Sequence, residues 1–575
     1  MSVPSFTKLP VPLMTPSKVF LELNCNFKVF RLSREILNPP STLIRQIRKA
    51  TRSRRRTLLL VIGAVAFGPF LPTLSKAGSV QLNEGSVSGL GTAYAGGAAS
   101  AEDISTIFFN PAGIVLLDHG EFQAAANGIL PSANFSNQGS RLLAPSTQFN
   151  REPLTGGNDG DPGIDKVVPN LYLSQPVFRS PQYGDLSVGM GFSVPWGLET
   201  DYSPDWVGRY QALRSKLTTY DIQPTVAYRF YDRLSIGASA DIQYAPARLT
   251  QAVDFGALAL QKALTPFFAA LPEQLAARSI PSFAIPGIVQ ATERAYANNG
   301  FMPQGRDGVS ELSGSDWSVG FMLGAIFEYL KPGQNSFLQD GRIGVSYRSG
   351  ITHNIQGSVE FRGVPVLTAP GAPVQFPEPT VLQKVFSNQS ATARLELPEI
   401  YHFSIYQRFL QRFALLGDIN WTRWSRLQTI PITFANPKTP ATMEILAYRD
   451  TIRFSTGLEW YARRCLTLRV GFAYDETPIR GAAFESPRIP GDNLYWLSTG
   501  FQWKPTCWTA IDFGYAHLFV NSPTVNATDA FGHNLRGKFD LGVDIISASV
   551  TFLWGGPQEV PPTEGKGYGG KASLR

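Results

Sequence analysis

The stretch that decides the fold class is Leu234–Tyr244, which reads LSIGASADIQY. Its even-numbered positions are apolar, and its odd-numbered positions are small or polar. Strict alternation over this length is typical of a β-strand with one apolar and one polar face. Residues 186–196 and 466–475 follow the same pattern. The chain therefore contains two-faced strands, and the class of protein depends on what each face contacts.

The spacing of these segments favours a transmembrane barrel over a soluble sandwich, in which the apolar face would form a core. Short turns, such as 231–233, 462–465 and 505–507, alternate with long loops, such as 137–166, 250–315, 353–392 and 476–492. An even strand number with this alternation is the layout of a bacterial outer-membrane barrel. We therefore predict an all-β fold, a 14-stranded antiparallel transmembrane β-barrel. Its strands are expected near 120–130, 168–178, 185–196, 216–230, 234–249, 316–330, 341–352, 393–408, 412–425, 450–461, 466–475, 493–504, 508–519 and 538–554.

The positive charge of the chain lies almost entirely at its front. The 575 residues carry a formal charge of +7, but residues 1–77 alone hold 13 Lys and Arg against two acids. The rest has 38 basic and 42 acidic side chains, so we expect no nucleic-acid partner. Arg52–Arg56 precede a short apolar stretch, and Ser75 and Ala77 are small residues at the −3 and −1 positions of a cleavage site. These features predict an extended signal peptide region, 1–77, that is cleaved after Ala77.

Several other classes of protein and site are not supported by the sequence. No apolar run reaches about 18 residues, which excludes a helical membrane protein. The five His residues lack metal-ligand spacing, and no Ser/His/acid arrangement is evident. We therefore predict no enzyme, no metal and no cofactor. After cleavage only Cys465 and Cys507 remain, which allows one disulfide between periplasmic turns of neighbouring hairpins.

The segment before the first strand, 78–117, is rich in Gly and Ala. Its glycines do not form a dinucleotide site, because no strand precedes them and no βαβ unit follows. A fourteen-stranded barrel has a lumen that is either filled or left as a channel. We therefore predict that 78–117 is a plug, followed by the barrel at 118–554 and a Pro/Gly-rich tail at 555–575.

Short motifs along the chain resemble those of a known family. GTAYAG at 91–96, with Asp103 and the run Asn110-Pro111-Ala112-Gly113, resembles the N-terminal hatch of the FadL-type outer-membrane transporters. The likeness continues in order over nearly all of 85–554, including PWGLETDY at 195–202, WTRWS at 421–425, RVGFAYD at 469–475 and RIPGD at 488–492. The resemblance implies that seven hatch residues take part in gating, namely Gly91, Tyr94, Asp103, Asn110, Pro111, Ala112 and Gly113.

The resemblance also implies passive uptake of long-chain fatty acids or similar hydrophobic molecules. Members of this family capture the ligand at outer loops and release it sideways through a kink in the third strand, which Pro195-Trp196-Gly197 resembles here. Pro195 lacks a ladder donor and Gly197 lacks a side chain, which weakens strand pairing. A gap in the wall lets an apolar ligand avoid water, where each exposed CH₂ costs about 0.8 kcal/mol. Without the resemblance, the end of a strand is the preferred interpretation of the same Pro/Gly pair.

Substrate and partners stay open between several alternatives. A fatty-acid carboxylate needs a cation, and the candidates are Arg209, Arg248, Arg480 and Arg488. Aromatic or alkane hydrocarbons need none, and a structural or adhesive barrel with a closed plug is a third possibility. Residues 256–297 have helical spacing within one long loop, which either packs on itself or offers greasy ligands a first landing place. The expected partners are a hydrophobic ligand, outer-membrane lipid and the barrel-assembly machinery, and the barrel is expected to be a monomer.

Overall fold

Antiparallel strands dominate the part of the chain that the structure, a computed structural model, describes. This part comprises residues 80–555 except 144–148, 159–161, 332–333 and 336. The predicted leader 1–77 and the tail after Gly555 lie outside the described residues.

Fourteen wall strands form one continuous sheet, in which seven of them are interrupted. The strands are β1 (Gly120–Asn137), β2 (Lys166–Ser180), β3 (Gly184–Ser193 and Gly197–Asp201), β4 (Arg214–Thr218 and Tyr220–Phe230), β5 (Leu234–Asp254), β6 (Asp307–Leu330), β7 (Leu338–Arg348 and Thr352–Arg362), β8 (Gln389–Glu396 and Ile400–Phe409), β9 (Phe413–Thr422 and Thr429–Phe434), β10 (Thr442–Ile445 and Thr451–Arg463), β11 (Leu466–Asp475), β12 (Leu494–Thr506), β13 (Thr509–Val520 and Thr524–Thr528) and β14 (His533–Trp554).

The sheet closes on itself, because β1 pairs with β2 on one side and with β14 on the other. The closing register runs from Gly120↔Trp554 to Asn137↔Gly537. The prediction of a 14-stranded antiparallel barrel is thus confirmed. Several strands are longer than expected: β6 begins at Asp307 and β7 continues to Arg362. The extra residues lie beyond the apolar band, where the alternating pattern that located the strands is lost.

The two faces of the wall have the environments expected of a membrane barrel. In β5 the apolar Ile236 is 43% exposed on the outside, whereas Ser235 and Asp241 are at most 1% exposed on the inside. A soluble sandwich would bury the apolar face instead. The outward apolar face is the surface that meets lipid in such barrels. No helix among the described residues is long and apolar enough to cross a membrane.

Residues 80–117 form short helical turns and contact the inward-facing side chains of the wall. The turns are α1 (Val87–Gly91), α2 (Thr106–Phe109) and a 3-10 turn at Pro111–Leu116. Leu90, Tyr94 and Ile107 are buried against wall residues in the largest apolar cluster that includes this segment. At Gly237 in β5, an added Cβ would lie 2.4 Å from the backbone nitrogen of Ala112, so the wall glycine permits close approach.

The long loop between β5 and β6 is helical, as its spacing predicted. It contains α3 (Phe255–Ala259), a π-helical turn (Leu260–Leu264), α4 (Thr265–Ala277) and α5 (Ile285–Asn298). These helices pack against the loop between β7 and β8, which carries α6 (Val381–Val385). The result is an apolar layer at the end of the barrel that bears the long loops.

The disulfide predicted between Cys465 and Cys507 is not formed in the structure, and this prediction is wrong. The backbone explains why, because the N–H of Lys504 donates to the Cys465 carbonyl at 2.9 Å. Cys507 lies three residues further along its strand and turn. At about 3.3 Å per residue this separation exceeds the roughly 7 Å over which two Cα atoms can be bridged.

Candidate functional site

The interruption of β3 opens the ladder between β2 and β3. The two strands pair from Leu171↔Phe192 to Ser180↔Gly184. Above that point, the ladder partners of Lys166–Asn170 among the described residues come from β1 alone. Backbone contact resumes at an isolated bridge between Gly163 and Thr200, beside a hydrogen bond from the Asp201 N–H to the Pro162 carbonyl. The Lys166 side chain also crosses the opening and lies 2.9 Å from Glu199. The wall therefore has an opening beside the predicted kink at 195–197.

The other side of the interruption stays closed. The Trp196 N–H donates to the Thr219 hydroxyl at 3.1 Å, and the Thr219 N–H donates to the Trp196 carbonyl at 2.9 Å. These bonds hold β3 against β4 across the bulge. The weak seam is consequently confined to the β2–β3 side.

The start of the N-terminal segment closes the opening from inside. The Leu82 N–H donates to the Pro195 carbonyl, and the Gly197 N–H donates to the Val80 carbonyl, both at 2.9 Å. Across the opening, the Asn170 amide donates to the Glu84 carbonyl at 2.6 Å. Residues 80–84 thus take the hydrogen-bonding place that a neighbouring wall strand would occupy.

Gly197 is the contact point between the wall and this segment. An added Cβ would lie 2.9 Å from Leu82 Cδ1, while the next neighbour, the Leu217 carbonyl, would be 3.7 Å away. The absence of a side chain therefore accommodates the N-terminal segment rather than the neighbouring strand.

An apolar cluster lies beside the kink inside the barrel. Trp196, only 2% exposed, packs edge-to-face on Trp424 with ring centroids 5.6 Å apart, and Trp424 packs in the same way on Tyr448 at 5.8 Å. Leu217, Leu397 and other aliphatic side chains complete the cluster. These side chains pack on one another and make the interior beside the kink apolar.

A narrow pocket behind the kink contains one arginine. It is lined by Leu82, Phe108, Pro195 and Arg348 among others, and its volume of about 10 Å³ is about that of one water site. Arg348 lies 3.1 Å from Asp241 and 3.7 Å from Asp221, with its guanidinium 5.0 Å from the Phe108 ring centroid. Nowhere in the described part of the chain do three or more His, Cys, Asp or Glu side chains form a group that could hold a metal ion.

Comparison with known proteins identifies the family of this chain. The family model described as outer membrane protein transport protein (OMPP1/FadL/TodX) matches residues 69–554. The chain belongs to this family. It is thus an outer-membrane β-barrel protein, as the sequence predicted.

Individual relatives of this FadL-type chain are distant but nearly full-length. An outer membrane protein of Neisseria meningitidis serogroup B is 27% identical over 87% of this chain and 99% of its own length. The long-chain fatty acid transport protein of Escherichia coli K12 is 24% identical over 79% of this chain and 91% of its own length. Among solved structures, a Pseudomonas aeruginosa FadL homologue has a TM-score of 0.63 at 22% identity, covering 83% of this chain and 99% of its own. The Pseudomonas putida toluene transporter TodX has a TM-score of 0.50 at 13% identity, covering 79% and 94%. The structural likeness concerns the fold.

The four arginines predicted as carboxylate partners do not meet in one place. Arg209 pairs with Asp307 at 2.7 Å, and Arg248 pairs with Glu311 at 2.5 Å, both toward the end of the barrel that bears the long loops. The other two flank the apolar cluster near Ile479 and Ile489: Arg480 donates to the Tyr448 carbonyl at 3.4 Å, and Arg488 donates to Gln251 at 2.5 Å. None of the four lines the pocket behind the kink.

The predicted hatch residues lie together inside the FadL-type barrel. Asp103 accepts from the Ser88 hydroxyl at 2.6 Å and from the Ser105 N–H at 2.9 Å. The Asn110 side chain accepts from the Ala112 N–H at 3.0 Å and donates to the carbonyls of Ala325 in β6 and Val345 in β7. Asn110 therefore caps the turn that contains Pro111, Ala112 and Gly113 and also ties it to the wall.

Gly91 and Tyr94 lie in the first half of the segment and contact other wall residues. Gly91 ends α1 beside Arg469, where an added Cβ would be 3.1 Å from the Arg469 Cβ. The Tyr94 ring packs on Phe109 and Trp496 with centroids 5.7 and 5.9 Å apart. The sequence predicted that these residues belong to one segment, but it did not predict which residues each of them contacts.

Arginines of the wall hold the segment and were missed as site residues. The Arg469 guanidinium contacts Glu102 and Asp512 at 2.8 Å each and Glu459 at 3.0 Å, with its side chain 2% exposed. Arg342 donates to the Ser100 carbonyl at 2.6 Å, and Arg453 donates to the Ala93 carbonyl at 2.9 Å. These arginines, like Arg348, lie at inward positions of strands in which apolar and polar residues alternate. An arginine at such an inward position was the signal available in the sequence.

Proposed function

We propose that this outer-membrane protein passively transports hydrophobic molecules, with long-chain fatty acids or similar amphiphiles as substrates, and releases them laterally. The observation that carries the proposal is the opening between β2 and β3. The backbone groups of Pro195 and Gly197 at this opening form hydrogen bonds with Val80–Leu82 instead of with β2. A ligand that leaves there passes directly from the apolar cluster around Trp196 and Trp424 into lipid. It avoids the cost of about 0.8 kcal/mol for each CH₂ exposed to water.

The helical layer on the long loops is the proposed site of capture. Its α3, α4 and α5 share an apolar cluster with the β7–β8 loop, including Phe267, Leu271 and Tyr296. On the outside of this layer Phe283 is 86% exposed. Phe283 and the half-buried Ile280 and Ile285 of the same segment form the proposed landing surface for a hydrophobic ligand. The ligand then passes to the apolar cluster around Trp196 and Trp424.

Residues 80–117 are the proposed hatch, and only their first part needs to move. Val80–Leu82 are joined to the kink by two backbone hydrogen bonds. In contrast, Glu102 is joined to Arg469 within a buried cluster of charges, and breaking such a pair is costly. Displacement of the first residues therefore opens the wall while the anchored part stays in place.

Uptake of aromatic or alkane hydrocarbons is the second candidate, favoured by the pairing of the arginines. Arg209, Arg248 and Arg348 each already have a protein carboxylate within 3.1 Å. A neutral hydrocarbon requires no free cation. A fatty-acid carboxylate would instead have to compete with these acidic side chains or remain near solvent.

Growth of a deletion strain separates the candidates. The strain is complemented with this gene or with an empty vector and grown on oleate or on an aromatic hydrocarbon as sole carbon source. Growth restored on oleate supports fatty-acid transport, and growth restored only on the hydrocarbon supports the second candidate. No restored uptake of either compound, with the barrel present in the outer membrane, would reject both and leave a structural or adhesive role.

A further inference from the structure

A pocket at the rim that bears the short turns is lined by arginines that the transport proposal does not use. Its volume is about 470 Å³. The turns between β8 and β9 and between β10 and β11 supply most of its lining. Its chemistry-bearing residues are Arg408, Arg412, Arg463, Arg464, Asp340 and Tyr461.

The pairing of β9 with β10 brings the two turns together. The register places Phe413 opposite Trp460, and the Tyr461 N–H donates to the Arg412 carbonyl at 2.8 Å. Leu410 and Gln411 adopt positive φ values of 50° and 58°, which makes the first turn tight. The positions of the arginines therefore follow from the barrel itself.

The positive charge of this pocket is not neutralised by the protein. Its acidic residue, Asp340, is already engaged by Arg342 at 2.6 Å. Among the described residues, no carboxylate lies within 4.0 Å of the guanidinium groups of Arg408, Arg412, Arg463 or Arg464. Four like charges lining one pocket repel one another, and an anion bound between them would offset part of that repulsion.

One of these arginines is held in place before any ligand binds. The Arg408 guanidinium stacks over the Tyr461 ring at 4.3 Å from the centroid, and its terminal nitrogen donates to the Gln411 carbonyl at 2.9 Å. Its Nε is buried and has no hydrogen-bond partner. A fixed guanidinium with an unused N–H loses little entropy on binding an oxyanion.

We propose that this rim pocket binds a phosphate group. Phosphate matches the planar fork of arginine, and its several oxygens accept hydrogen bonds from more than one guanidinium. The rim also lies at the level of an aromatic ladder on the wall, and such girdles mark the membrane interface. The ladder consists of Phe337, Phe409, Phe413 and Trp460, with successive centroids 6.3, 5.7 and 6.4 Å apart. The phosphate therefore belongs either to a free anion or to the headgroup of a phospholipid in the adjacent leaflet.

The test compares two double variants of the full chain, purified in detergent. Arg412→Gln with Arg464→Gln removes two charges from the pocket. The matched control, Arg233→Gln with Lys331→Gln, removes two charges from other turns of the same rim, where Arg233 donates to the Glu328 carbonyl and Lys331 lies 3.6 Å from Asp232. Heat-modifiable migration on gels verifies that each variant is a folded barrel. Lysine at both pocket positions keeps the charge and serves as a second variant.

Two ligands distinguish the sources of the phosphate. Titration calorimetry with inorganic phosphate measures the free anion. Native mass spectrometry after addition of phosphatidylglycerol or phosphatidylcholine measures a retained headgroup. We expect the pocket variant to bind at least about tenfold more weakly, because hydrogen bonds to charged groups are the strong ones. The control is expected to match the wild type, and the lysine variant to retain part of the binding.

Each outcome decides the proposal. Phosphate binding that is lost only in the pocket variant assigns a soluble anion, and retention of phosphatidylglycerol alone assigns a headgroup. Absence of binding by the wild-type chain in both arms overturns the proposal. Equal loss in the pocket variant and the control overturns it as well, because it would mean that the overall charge of the rim is responsible.

Discussion

Replacement of Gly197 by valine is expected to loosen the start of the hatch without unfolding the barrel. The backbone of Gly197 does not adopt a positive φ, so a β-branched residue suits the strand. The new Cβ would lie 2.9 Å from Leu82 Cδ1, and Leu82 must move. The two methyl groups that valine carries beyond Cβ need further space, and we expect the backbone of Val80–Leu82 to shift with the Leu82 side chain. That shift would break its two backbone hydrogen bonds to the kink, each worth about 1 kcal/mol. A total of about 2 kcal/mol changes the ratio of docked to displaced segment roughly thirtyfold.

Hydrogen exchange of the purified barrel measures this effect directly. The amide of Leu82 should exchange up to roughly thirtyfold faster in the variant, whereas amides of the anchored part of the hatch should not change. Uptake should fall, because the valine side chain projects into the proposed exit. Gly542→Val is the matched control, since no atom lies within 4 Å of an added Cβ there. Unchanged exchange at Leu82, together with unchanged uptake, would refute both the contact and the exit.

Three further changes test other parts of the molecule. Arg469→Met should destabilise the barrel by about 3–5 kcal/mol, because it leaves Glu102 and other buried carboxylates unpaired. The measurement is the temperature at which heat modification occurs on gels, which should fall. An unchanged temperature would contradict the anchoring role. Gly237→Val should displace the 3-10 turn of the hatch, because its Cβ would meet the Ala112 backbone nitrogen at 2.4 Å, and protease cleavage near Ala112 should increase relative to the wild type. Burial lowers the pKa of His533, but hydrogen bonds to two aspartates raise it, and the resulting pKa is about 9. Protonated His533 therefore stabilises the folded long loops by about 3 kcal/mol. This stabilisation is complete below pH 6.5 and is lost as the pH rises through 9. His533→Gln should remove this dependence in limited proteolysis of the loops, and a pH profile that persists in the variant would contradict it.

The outward-facing side chains of β14 show that His533 lies outside the membrane. Arg536, Lys538 and Asp540 are charged and exposed, whereas Ile546–Trp554 present apolar side chains outward. A spanning strand needs about 9–11 residues, which the second stretch supplies. His533 therefore lies well beyond the lipid, in a cluster where it contacts Asp529 at 2.7 Å and Asp254 at 3.1 Å.

The alternation of side chains was sufficient to predict the wall but not the site. A period of two records only which face a residue occupies, so it located fourteen strands from segments such as Leu234–Tyr244. It could not show that β2 and β3 separate above Leu171↔Phe192. The loss of backbone hydrogen bonds between two strands leaves the pattern of their side chains unchanged. The Cys465–Cys507 prediction was wrong for a similar reason, because it depended on the register of the turns rather than on composition. Arg348 lay in an inward position, but its proximity to Pro195 in one pocket depends on pairing between distant strands.

The contacts of the hatch divide it into two parts with different strengths. From Ala93 onward, arginines of the wall bind it through charge-assisted contacts, with Arg469 joined to Glu102 at 2.8 Å as the strongest example. At Val80–Leu82 the bonds to the wall are neutral backbone hydrogen bonds, each of which displacement exchanges for a bond to water at a small net cost. We therefore propose that thermal motion or ligand contact releases the first residues well before the rest. Since those residues close the opening beside Pro195, the weakest part of the hatch coincides with the weakest seam of the wall.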